Sequence, residues 1–244
     1  TEVVVPPTQP GWRSAFDELA NGGMDASAAL ADFWNGSAFG GGVFRGMRVY
    51  GKPVLVEEQG RHWMGVEHER HGVKANNTKE QLDADLHAGL WGSLVQPLGG
   101  ATGYWWWLHV HFDDRYFEYR ALGAFVKGED FRPQGGERKL EPELLTPDAA
   151  RGQVLARALR SERRAYVWVY HRATPLKTAG IPEVRGVSLT LRGFKAGEYS
   201  AEFWDTREGR ATGSQDASVA AEGLLTVQLP PIKSDLAVKI KRKP

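Results

Sequence analysis

The pattern of this chain changes near residue 135, and that change bounds what it can fold into. Before it, short apolar runs alternate with stretches of helical spacing; after it, strands follow one another without helices. In the first part, "KEQLDADLHAGLWGSLVQ" sets Leu82, Leu86, Leu90 and Leu94 four apart, which predicts a helix. "SAFDELANGG" reads as a helix capped by Ser14 and stopped at Gly22 and Gly23, and "DASAALADFW" as another, capped by Asp25 or Ser27. "DDRYFEYRALGAFVKG" is a further helix, with Asp113 or Asp114 as cap and Gly128 as stop. Two runs read as buried strands: residues 52–56, and "GGATGYWWWLHV", entered through glycines. The order strand, loop, helix, strand, loop, helix is that of a parallel sheet with helices outside it. In such folds the chemistry sits where the strands' C-terminal ends meet the loops that follow.

The second part opens with a Gly-, Pro- and charge-rich stretch, "PQGGERKLEPELLTPD", which reads as a linker. Beyond it, apolar and polar residues alternate: Val187, Leu189 and Leu191; Leu225, Val227 and Leu229; Leu236, Val238 and Ile240. About seven short strands with turns between them predict an antiparallel β-sandwich of roughly 100 residues. The expected class is therefore α/β followed by all-β, with domains at 1–135 and 136–244.

"KPVLVEEQG", residues 52–60, ends an apolar strand in two acids, Glu57 and Glu58. Burying an unpaired carboxylate costs several kcal/mol, of order ~5, so at least one of them needs a reason to be there. Side chains alternate along a strand, so only one can point to a given face, and alternation alone does not say which.

Composition narrows the function. A formal net charge of +1 over 244 residues gives no footprint for nucleic acid or an anionic membrane. No apolar run approaches the ~20 residues that cross a bilayer. The absence of cysteine excludes disulfides and thiolate metal sites. Nine tryptophans are many for this length, and tryptophan faces stack well on sugar C–H groups as well as filling cores.

Taken together, these segments resemble glycoside hydrolases of clan A, the family-5-like retaining β-glycosidases. "GKPVLVEEQG" is similar to their strand-seven motif, in which Lys-Pro and an apolar run lead to Glu, one residue, Gly. "DADLHAGLWGSLVQPLGGATGYWWW" resembles the following helix and strand eight, "YFEYRALGAFVKGEDF" the closing helix, and "AEFWDTREGRATG" through "DLAVKI" a small C-terminal sandwich. The resemblance implies the C-terminal portion of a (β/α)8 barrel followed by a small antiparallel β-sandwich, and retaining hydrolysis of β-linked glycans or glycosides. No cofactor or metal is implied, and secretion or a periplasmic location fits the group. By the motif's spacing Glu58 is the nucleophile. A strand-eight tryptophan, Trp106 or else Trp105, would floor the sugar site, and Trp63 and His62, in the loop after strand seven, would face the substrate. His68 and His71 share that loop, where contact with sugar hydroxyls or plain exposure is the expectation. His87 and Trp91, four apart, are expected at the helix–barrel interface.

The pattern breaks in two places. Leu108 stands where the group carries Asp after its Trp run, so a sugar-contacting or loop-fixing carboxylate is missing there. Only about 50 residues precede strand seven, where strands one to six need roughly 150, and no Asn-Glu dipeptide offers the acid/base. The expectation is a chain completed by a second polypeptide that brings the acid/base. The alternatives are an oligomer that covers the open edge, or a non-catalytic glycan-binding or scaffold subunit of a larger assembly.

Overall fold

The computed structural model describes residues 58–59, 78–96, 100–138, 140–145, 153–175 and 177–244. All of them lie within one compact unit, Leu55–Pro244. The expected helices at 14–23 and 25–34 and the expected strand at 52–56 lie outside the described residues. The described chain is a mixed α/β fold with antiparallel sheets. Among the described residues, no helix is long and apolar enough to cross a membrane.

β1 (Glu58–Gln59) and β2 (Gly103–Tyr104) pair in parallel, Glu58 opposite Gly103 and Gln59 opposite Tyr104. Between them in sequence runs α1 (Lys79–Leu94). Its start is fixed by a capping box: Gln81 N–H donates to Thr78 Oγ1 (3.2 Å), and Thr78 N–H donates to Gln81 Oε1 (2.9 Å). The leucine spacing does its expected work, with Leu82, Leu86 and Leu90 at most 1% exposed. Ala84, His87, Ala88, Trp91 and Ser93 are buried too, so α1 is enclosed on more than one side. After β2 come α2 (Trp107–Phe112) and α3 (Tyr116–Val126).

The rest is strands. A six-stranded antiparallel sheet runs in the order β3 (Glu141–Leu145), β4 (Val154–Arg160), β5 (Arg164–His171), β10 (Asp235–Arg242), β7 (Gly197–Asp205), β8 (Arg210–Val219). A second sheet pairs β6 (Ser188–Arg192) with β9 (Leu224–Gln228). The sequence "RAYVWVYH" of β5 shows how the layers are built. Ala165, Val167 and Val169 point into one core with Leu189, Leu191, Leu225 and Val227 of the small sheet. Tyr166, Trp168 and Tyr170 point the other way, into a second core with Leu86, Leu90 and Trp91 of α1 and Leu122 and Phe125 of α3. Period-two alternation here sorts small residues from large aromatic ones, because both faces of the strand are covered. The helices and the sheet thus share a core across residue 135.

Two expectations are corrected. The stretch read as a linker contains β3, an edge strand paired with β4. Pro142 masked it, but an edge strand tolerates proline because one side of its backbone makes no ladder bonds. The run "GYWWWLHV" is not one strand: pairing stops at Tyr104, Trp107 N–H turns back to Trp105 C=O (2.9 Å), and α2 begins.

The turn between β7 and β8 abuts α3. Gly209 has φ +62°, and a Cβ there would lie 2.5 Å from Ala121 Cα. Gly209→Ala is expected to cost about 2–4 kcal/mol, the sum of left-handed strain and overpacking. Urea denaturation measures it; a loss below about 0.5 kcal/mol would mean that α3 is free to withdraw from the turn.

Candidate functional site

β1 and β2 run in the same direction, so their C-terminal ends lie together. The first turns of α1 sit at that same end, since Tyr104 Oη donates to Leu82 C=O (3.1 Å) and to Asp85 Oδ2 (3.2 Å). Glu58, Trp105–Trp107 and α2 therefore gather at the C-terminal end of the parallel pair.

Glu58 is described as a β1 residue opposite Gly103. Glu57, His62, Trp63, His68 and His71 lie outside the described residues. Strand alternation does not govern the tryptophans, because the chain has left the strand. Trp105 is 50% exposed and Trp107 65% exposed, whereas Trp106 is half-buried against the aromatic core. Trp105, Trp107, Phe112 and Tyr116 are the exposed large apolar side chains among the described residues. Beside them, Trp107, Val110, His111, Tyr116 and Tyr119 line an open, mostly apolar cleft of about 500 Å³. His111 Nδ1 lies 3.0 Å from Tyr116 Oη at its edge.

Behind this surface lies a cluster that the motifs did not point to. His109 of α2 is fully buried. Its Nε2 is 2.9 Å from Asp83 Oδ1 of α1, and its Nδ1 is 2.8 Å from Asp113 Oδ2. Arg115 donates to both Asp83 oxygens (2.5 and 3.1 Å) and to Asp113 C=O (2.7 Å). Lys79 donates to Asp113 Oδ1 (2.6 Å). Partial burial alone would raise the Asp83 and Asp113 carboxyls. Hydrogen bonds from His109 and Arg115 to Asp83, and from Lys79 and His109 to Asp113, instead hold both below the usual carboxylate range. Neither Asp113 nor Asp114 caps α3: its N-cap is Arg115, with no side-chain cap, and Asp114 takes a left-handed conformation at φ 51°.

His87 and Trp91 are buried on α1, and Trp91 shares a core with Tyr104 of β2. They face the six-stranded sheet and α3. His87 Nδ1 is 2.6 Å from Glu118 Oε2 of α3, and Nε2 is 2.7 Å from Asp235 Oδ2 of β10, with all three side chains at most 1% exposed. Arg207, from the β7–β8 turn, pairs with Glu118. Trp168 Nε1 and Ser234 Oγ donate to Asp235 (both 2.8 Å). Burial alone would lower the His87 pKa; the charges of Asp235 and Glu118 overcome it and raise it to about 9. Sequence reading paired His87 with its helical neighbour, but its partners are 31 and 148 residues away.

No family model matches this chain, and no curated protein matches it. Solved structures give distant likenesses. A glucosidase from Croceicoccus marinus is 12% identical over 97% of this chain and 58% of its own, with a TM-score of 0.43. A GH39 enzyme from Xanthomonas axonopodis pv. citri is 9% identical over 78% and 45%, with a TM-score of 0.37. A family 5 glycoside hydrolase from Bacteroides vulgatus is 12% identical over 68% and 37%, with a TM-score of 0.41. The chain spans about half the length of these structures.

Proposed function

We propose that this chain is the C-terminal portion of a retaining glycoside hydrolase acting on β-linked glycans or glycosides. In this reading residues 1–135 belong to a (β/α)8 barrel carrying its strands seven and eight, and 136–244 form a β-sandwich. Glu58 is the nucleophile, and Trp105 and Trp106, with Trp63 and His62, line the sugar site. A second polypeptide brings the acid/base. The supporting observation is the parallel pairing of Glu58 with Gly103 across a crossover helix, with the Trp105–Trp107 turn directly after it. That is the order in which the sequence motif sets its nucleophile and its sugar-stacking tryptophan.

The chemistry follows from the carboxylate. Glu58 attacks the anomeric carbon as the partner's acid, about 5–5.5 Å away, protonates the departing oxygen. A covalent glycosyl ester forms, and water then releases the sugar with its configuration retained. The exposed tryptophan faces hold the ring by C–H stacking while the bond breaks.

A 2-deoxy-2-fluoro β-glycoside with a good leaving group tests this. The 2-fluoro group slows hydrolysis of the ester, so the native particle should gain the mass of one fluorosugar, on the peptide that carries Glu58. Labelling of another carboxylate would reassign the nucleophile. Oligosaccharide binding without labelling or turnover would favour the second reading, a glycan-binding or scaffold subunit. Two observations favour that alternative: Trp105 and Trp107 are exposed, and the sequence contains no Asn-Glu dipeptide.

A further inference from the structure

α2 is a helix that should not hold its place unaided. It has six residues, and its N-cap, Trp106, makes no side-chain capping bond. Isolated helices need about 12–15 residues even to be marginal. Its buried residues are only His109 and Val110, while Trp107, His111 and Phe112 face outward. Val110 and the N-cap Trp106 pack on the apolar core, and further support for α2 is polar. Five groups of alternating type run in a line: Lys79, Asp113, His109, Asp83, Arg115. Lys79 and Asp83 come from the first turns of α1; Asp113 and Arg115 come from the link into α3. An apolar side chain at 109 would fill the same space without the desolvation cost of an imidazole set between two acids. The imidazole adds direction: two nitrogens on opposite sides of the ring bond acids from two elements, which fixes the rotation of α2 as well as its depth.

We propose that His109 is the positioning residue of the aromatic surface, holding α2 in the one rotation that leaves Trp107 exposed on its cleft. It touches no substrate itself. It supplies the loop-fixing role left open by Leu108, from one residue further along and with acids borrowed from α1 and from Asp113. As a statement about sugar binding, this rests on the glycosidase reading; as a statement about the tryptophans, it does not.

The test uses the full chain labelled with 5-fluorotryptophan, each fluorine resonance assigned by single Trp→Phe changes. His109→Leu keeps bulk and removes both bonds; Asp83→Asn weakens the same latch from α1. Both should stay folded, with the Trp91, Trp168 and Trp204 resonances unmoved. Both should broaden or shift Trp105 and Trp107, and amide exchange across 105–112 should speed up by about tenfold or more. Unmoved Trp105 and Trp107 signals in a folded His109→Leu protein would overturn the proposal. So would equal movement of all the tryptophans, which would make His109 a general stability element. If the native particle hydrolyses an aryl β-glycoside, the variants should raise KM about tenfold with kcat within about threefold. With fluorine shifts as expected and no hydrolysis in the parent, the glycosidase reading fails and the latch stands.

Discussion

Glu58→Gln should reduce glycoside turnover by at least about 10³-fold while leaving the fold and any assembly intact. The amide keeps the shape of the carboxylate but cannot form the glycosyl ester. The strand should not notice, because Glu58 meets Gly103 through backbone pairing. Glu57→Gln is the matched control. In the strand that the sequence predicts, adjacent residues point to opposite faces, so only one of the two acids can address the anomeric carbon, and Glu57→Gln should keep activity within about tenfold. A smaller side chain sharpens the assignment. In Glu58→Ala, azide can enter the vacated space and attack in place of the carboxylate. One displacement then replaces two, so the glycosyl azide released should have inverted configuration. Wild-type turnover by Glu58→Gln would remove the nucleophile from this residue. Loss in Glu57→Gln with none in Glu58→Gln would move it one position back.

What could be read in advance depended on how local the signal was. α1 is written in its own residues: leucines four apart, and Thr78 with Gln81 closing a cap over three positions. The strands of the two facing sheets are likewise carried by alternation within each strand, and the triplets at 187–191, 225–229 and 236–240 are buried as the spacing required. β3 and β8 are the two edges of the large sheet. β8 is mostly polar and exposed, so only its last residues read as strand, and β3 carries a proline. The tryptophan run failed for a different reason. Its bulk suits a strand, but the partner pairing covers two residues, and beyond it the chain turns into a helix held in part by hydrogen bonds from distant residues. Neither histidine network could be seen by spacing. His109 needs Asp83 from 26 residues earlier, and His87 needs Asp235 from 148 residues later. Composition shows that such acids exist, and only the fold brings them to the imidazoles.

The second large effect belongs to His87. His87→Leu should cost about 3–5 kcal/mol, because Glu118 and Asp235 would stay buried without the cation between them. For a chain of this size that is a fall in Tm of roughly 6–20 °C. The loss should depend on pH with a definite sign. An imidazole with both nitrogens on carboxylates donates through both, so the folded protein holds it protonated, with its pKa raised from 6.5 to about 9. The stabilisation is therefore complete below about pH 6.5 and fades as the pH rises through about 9, a swing of about 3 kcal/mol. Asp235 works in the opposite sense. Burial would raise its carboxyl, but His87 and the Trp168 N–H hold it well below the ordinary 3.8, so its share is present above that value and is lost only in strong acid. Urea unfolding of the parent and of His87→Leu at pH 5, 7 and 10 should show a gap that is widest at pH 5 and much smaller at pH 10. A gap that does not change with pH would mean that packing, not charge, holds α1 to the sheet. Adding Glu118→Gln and Asp235→Asn to His87→Leu separates the two causes. Those changes remove the stranded charges and should recover a substantial part of the loss at pH 7. They cannot restore it fully, since Arg207 then loses its own partner on Glu118.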